Sequence, residues 1–146
     1  MKSKLIAEEN GKTYAIIFDA GDEVKSGLMD FAKKHGLSAS SFTAIGAFER
    51  ATLGYFDIEK QEYEKIPFNE QVEVISLIGD VATGSDGNPK VHAHCVVAKR
   101  DGTAHGGHLL EAFVRPTLEL ILTESPTHLR KTYRDEFGLA LIDLDV

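Results

Sequence analysis

The chain has 146 residues, enough for one hydrophobic core of ordinary size. Its composition, 42% apolar and 27% charged, excludes a disordered chain, and no apolar run reaches the length needed to span a bilayer. A formal charge of −7 leaves no basic footprint of the kind that duplex-binding proteins use to neutralise phosphate, and the single cysteine, Cys95, excludes a disulfide framework. Residues 1–11 are polar, carry Glu8 and Glu9, and lack the apolar centre of a signal peptide. With Cys95 they predict a reducing, cytoplasmic setting.

No linker, repeat or low-complexity segment divides the sequence, so residues 1–146 are expected to form a single domain. Residues 13–18 are β-branched and aromatic and read as a strand. Asp22 then opens a helix. Val24, Leu28, Phe31, Ala32 and His35 fall at helical spacing on one face, and Gly36 supplies the stop. Strand signals come next at 42–48, 51–57, more weakly 62–67, then 72–82, 91–99, 108–114, 117–123 and 139–144. Within 72–82 the alternation sets Val72, Val74, Ser76 and Ile78 against Glu73, Ile75 and Leu77. Turns are expected at 85–89 and at Asp101-Gly102. One helix among many serial strands predicts an α+β fold, a mainly antiparallel central sheet with the helix packed on it.

Four of the six histidines lie between positions 92 and 108. His92 and His94 stand at i and i+2 of a strand, so both imidazoles leave from one face, with Cα atoms ~6.6 Å apart at a rise of about 3.3 Å per residue. That spacing lets two ring nitrogens converge on one cation. Cys95 points the other way and reads as a small buried apolar residue. A two-residue turn at Asp101-Gly102 would set His108 opposite Cys95, on the wrong face. An extra residue accommodated at Gly106-Gly107 would instead pair His108 with Val96, on the face of His92 and His94. Without that bulge, Glu111 takes the place of third ligand. Three imidazoles suit zinc, copper, iron or nickel, with zinc the default by availability, and they leave a coordination position open.

Glu49 and Glu111 are candidates for a general base on metal-bound water; surface or ion-pair roles are the plainer alternative. Arg50 and Arg115 flank the motif segments and are candidates to face an anionic ligand near the metal, with inter-strand ion pairs as the alternative.

The segment VHAHCVVAKRDGTAHGGHLLEA at 91–112 resembles the central signature of the plants-and-prokaryotes conserved (PPC) domain, and RPTLELIL at 115–122 resembles the strand that comes after that signature in the family. AIGAF at 44–48, LGYFD at 53–57 and GDEV at 21–24 resemble further family segments, so the similarity runs over about 13–143. The resemblance, to the stand-alone prokaryotic type, implies an α+β fold, a homotrimer, and a zinc-like metal on His92, His94 and His108. It also implies a DNA or protein partner, because plant members act in transcription and prokaryotic members carry a DNA-binding label. Within these residues there is no AT-hook segment, and His105 stands where the family pattern leads us to expect an apolar residue. Three functions are expected: a regulatory or scaffolding module, a metal-dependent enzyme acting on a small anionic or carbonyl compound, and a metal that only staples the fold.

Overall fold

The computed structural model describes residues 1–9 and 11–145. Its elements are β1 (Lys2–Ala7), β2 (Lys12–Asp19), α1 (Val24–His35), β3 (Ala39–Asp57), β4 (Glu62–Phe68), β5 (Val72–Thr83), β6 (Pro89–Ala98), β7 (Ala104–Glu124), β8 (Arg130–Arg134) and β9 (Leu139–Asp143). The combination of one helix with a large sheet is α+β. Among the described residues, no helix is long and apolar enough to cross a membrane.

The helix starts at Val24 because Glu23 caps it, accepting hydrogen bonds from the Lys25 and Ser26 amides at 3.2 and 2.7 Å. Asp22, expected to begin the helix, instead accepts from the Asp19 amide in the preceding turn. Gly36 ends the helix in the left-handed conformation, at φ 64. Val24, Leu28, Phe31 and Ala32 are buried against the sheet. Gly27 sits on the same face; a Cβ there would lie 2.7 Å from the Phe18 ring, so the helix approaches β2 closely.

The sheet runs β1-β2-β7-β3-β5-β8-β9, with β4 on β3 and β6 between β5 and the start of β7. Its pairings are antiparallel except for one parallel bridge, Thr83 with Arg130, so the sheet is mixed. The circuit β3–β5–β6–β7–β3 closes on itself, which brings the β6–β7 hairpin back over the β3–β4 hairpin. One face of the sheet and α1 enclose the core, with Ile16, Phe18, Phe48, Leu77, Leu118 and Leu120 among its buried residues.

The strands expected at 42–48 and 51–57 are one strand, β3, and those at 108–114 and 117–123 belong to another, β7. Bulges bend these long strands without ending them. Opposite Ala47, β7 carries an irregularity that contains Pro116, a residue unable to donate to the ladder. A further bulge between Val74 and Ser76 reverses the alternation expected within β5. Leu77 is therefore 0% exposed and Ile78 is 54% exposed, the opposite of the sequence pattern. β1 and β8 were not expected at all. Both are short; β8 is mostly polar, and β1 is an exposed edge strand whose Lys2, Ser3 and Lys4 precede Leu5, Ile6 and Ala7, so neither carries an apolar alternation.

Candidate metal centre

The geometry of the centre begins with the β6–β7 hairpin. The Lys99 amide donates to Thr103 O at 3.0 Å, and the Gly102 amide donates to Lys99 O at 2.9 Å. The loop is thus three residues, Arg100-Asp101-Gly102, with Gly102 at φ 82 and Asp101 bound to the Thr103 amide and hydroxyl. The expected two-residue turn and the bulge at Gly106-Gly107 are both absent. Gly106 and Gly107 pair in register with Val96 and Cys95, and His108 pairs directly with His94. That register differs by two residues from the pairing of His108 with Val96. An even difference keeps the side chain on the same face, so His108 joins His92 and His94 by another route. Gly107 matters for a different reason: a Cβ there would lie 2.9 Å from Gly54 O, so it lets β7 approach β3.

The three imidazoles offer ring nitrogens within 4.8 Å of one another. His92 Nε2 lies 3.2 Å from His94 Nε2. Tyr63 stacks on His108 with ring centroids 4.7 Å apart. His108 Nδ1 is buried and has no hydrogen-bond partner among the described residues. Burial, and then the neighbouring positive charge of His92, pushes the His108 pKa down to about 4. Burial, followed by His92, also holds His94 below the usual histidine range. His94 and His108 therefore stay neutral near pH 7, which leaves lone pairs for a Lewis acid. Three imidazoles that each bring a nitrogen within 4.8 Å of the others, one of them on a buried ring with an unpartnered nitrogen, fit a tetrahedral transition metal with one position open.

Two residues outside the sequence-derived site reach this centre. Asp80 is the cross-strand partner of His92, and its Oδ2 lies 3.3 Å from His92 Nδ1. Lys131 of β8 sets its ammonium 2.6 Å from the other oxygen, Oδ1, in an ion pair. Burial would raise the Asp80 carboxyl, but His92 and Lys131 together outweigh it and hold the group below the usual carboxylate range. Above the histidines opens a cavity of about 560 Å³, walled by Tyr55, Phe56 and Tyr63 on one side and by Lys131, Leu139 and Leu141 on the other. The two walls touch at their tips, where the Gln61 side-chain amide donates to Asp135 O at 3.1 Å.

The remaining candidates lie apart from the histidine cluster. Glu111 is exposed, pairs with Thr52 across β7 and β3, and does not line the cavity. The Arg50 guanidinium covers the Phe113 ring at 3.5 Å, and Arg115 lies 3.7 Å from Glu49 in an exposed ion pair. Neither arginine lines the cavity. His105 is exposed beside Phe68. Cys95 is buried, and burial pushes its thiol up to about 12. Asp80 faces His92 because Thr83 pairs with Pro89 across the turn; the expected turn at 85–89 would set Ala82 there instead. Nothing in the sequence pointed to Lys131.

The chain is similar to a plant- and prokaryote-conserved protein of Pyrococcus horikoshii, at 34% identity and TM-score 0.86, over 97% of this chain and 94% of that one. It is also similar to a metal-containing protein of Archaeoglobus fulgidus, at 33% identity and TM-score 0.84, over 95% and 98%. A Bacteroides thetaiotaomicron protein named as a candidate DNA-binding protein shares 26% identity at TM-score 0.89, over 99% of both chains. Among curated proteins it matches the bifunctional protein GlmU of a Synechococcus strain, with 30% identity over 116 residues; the chain spans 17% of that protein's length. Residues 6–126 match the Plants and Prokaryotes Conserved (PCC) domain, and the chain belongs to that family.

Proposed function

We propose that residues 1–146 form one cytoplasmic domain that holds a divalent transition metal, zinc by ligand type, on His92, His94 and His108, and admits a small anionic or carbonyl-bearing ligand to the remaining coordination position. The observation that carries this reading is His108: its ring is kept neutral by its surroundings, has a buried nitrogen with no partner among the described residues, and offers a nitrogen within 4.8 Å of those of two further imidazoles. A cavity of small-molecule size opens directly onto the cluster, which favours a small ligand over a polymer. Metal analysis of the tag-free protein, as isolated and after chelation and reconstitution with zinc, tests the reading. One metal per chain is expected, and no stoichiometric metal after reconstitution sinks it. If the ligand is turned over, activity on small anionic or carbonyl compounds depends on metal and is lost in His92→Ala.

A regulatory or scaffolding role with DNA is the second reading, supported by the name of the Bacteroides relative. The surface charge argues for a modest electrostatic contribution, because Lys60, Lys90, Lys99, Arg115 and Arg134 all stand beside carboxylates. Binding to duplex that weakens steeply with salt supports this role, and no binding at low salt removes it. Assembly as a homotrimer is supported by Ile45, Ile75, Ile78 and Ile121, which are exposed on the sheet face away from α1. Light scattering of the eluted protein gives the subunit number.

A further inference from the structure

We propose that Asp80 and Lys131 are a positioning pair: they fix the His92 ring with Nε2 free for the histidine cluster, so that the C-terminal hairpin β8–β9 governs how tightly the cluster holds metal. The proposal rests on the metal reading above for its affinity arm and on the metal-free protein for its other arm.

A histidine ligates through one nitrogen only if the other carries the proton, and a hydrogen-bond acceptor beside that other nitrogen decides which one it is. An ionised carboxylate accepts and never donates. With Asp80 Oδ2 3.3 Å from His92 Nδ1, the carboxylate charge favours the tautomer that carries its proton on Nδ1 and its lone pair on Nε2. That is the nitrogen 3.2 Å from His94 Nε2, on the cluster side of the ring.

Asp80 is itself held. Its side chain is about a quarter exposed, so alone it is free to turn toward water. Lys131 prevents this from the opposite side, at 2.6 Å from Oδ1. Only 5% of Lys131 is exposed, an arrangement that a lysine tolerates only when its charge is paired, and among the described residues Asp80 is its one ion-pair partner. The backbone delivers it there. Thr83, three residues beyond Asp80 on β5, bridges to Arg130 and donates to Leu129 O at 2.9 Å. The candidate ligands thus sit in the body of the sheet, while the group proposed to steady one of them comes from the C-terminal hairpin.

Two measurements test this. In metal-free wild type near pH 8, nitrogen-15 NMR of the imidazoles is expected to show His92 protonated on Nδ1 and bare on Nε2, with that preference lost in Asp80→Ala. A wild-type His92 protonated on Nε2 overturns the proposal, and this readout needs neither a variant nor a bound metal. In the second measurement, zinc affinity is read by competition with a chromophoric chelator. Asp80→Ala is expected to lose about 10–100-fold, as removal of a ligand-orienting partner does elsewhere. Lys131→Met decides between positioning and plain charge. Removing a cation beside a metal site strengthens metal binding if charge is all that matters, and weakens it if the lysine positions Asp80. Unchanged or tighter binding in Lys131→Met overturns the role given to the hairpin. Asp80→Asn, which keeps size and an acceptor oxygen, is expected to recover part of what Asp80→Ala loses. A wild type that takes up no zinc defeats the metal reading and leaves the NMR result to stand or fall alone.

Discussion

From β2 to β7, one face of the sheet turns large apolar side chains inward, with Phe18, Phe48, Leu118 and Leu120 buried between it and α1, while Ile45, Ile75, Ile78 and Ile121 stand exposed on the other face. In the β8–β9 hairpin the side chains are sorted the other way. Tyr133 is 56% exposed and Ile142 42% exposed, while the lysine between Arg130 and Thr132 is buried. The body is thus held by removing apolar surface from water, and the hairpin is held to it, among the described residues, by one ion pair, a single strand bridge and a few hydrogen bonds. In the proposed centre all three ligands stand in the body, and the support proposed for one of them comes from the hairpin.

The sharpest way to break that contrast is by truncation of single side chains. Phe48→Ala is expected to cost ~3–5 kcal/mol in urea unfolding, and Ile142→Ala no more than ~0.5 kcal/mol. Similar costs at the two sites would show that the hairpin has a core of its own. Next comes the cluster. His108→Ala should abolish stoichiometric zinc while leaving the far-ultraviolet circular dichroism unchanged, because the ligand stands on a strand fixed by its neighbours.

A smaller effect concerns pH. In metal-free protein the His108 pKa is about 4, against about 6.5 in an unfolded chain. The folded-state value is depressed, so the stabilisation is complete above about pH 6.5 and is lost as pH falls toward 4, where the unfolded chain takes up the proton first. His94 acts in the same direction. Melting temperature in chelator should therefore fall across that window, and His108→Leu should flatten the fall. The smallest change is expected for Gln61→Ala, which removes the tie between the two cavity walls. It should speed amide exchange in β8–β9 with less than ~1 kcal/mol lost globally, and exchange that also rises in β5 or β6 would mean that hairpin and body open together.

Much of the centre could be read from the chain because its logic is local. His92 and His94 share a face by strand geometry alone, whatever the sheet around them does. Gly36 ended the helix as its conformation required. His108 was placed on the correct face by an incorrect route, since parity and not the register itself decides the face. Leu77 and Ile78 were exchanged because a bulge leaves no mark in an alternating run. Glu111 is the third ligand only in the register of a two-residue turn without a bulge, which the three-residue loop replaces, and Arg50 and Arg115 flank motif segments; none of the three lines the cavity. Lys131 was illegible because β8 is five residues long, mostly charged, and docked through a parallel bridge.

The three-residue loop at Arg100-Asp101-Gly102 is the part of the hairpin whose length can change without moving the centre. Lys99 and Thr103 face each other across it, and a longer or shorter loop between them leaves His108 opposite His94. One residue added or removed between His94 and Ala98, or between Ala104 and His108, turns the third imidazole to the far side of the sheet unless a bulge absorbs it. Length variation that keeps the three imidazoles together is therefore expected in the loop and not in the strands on either side of it.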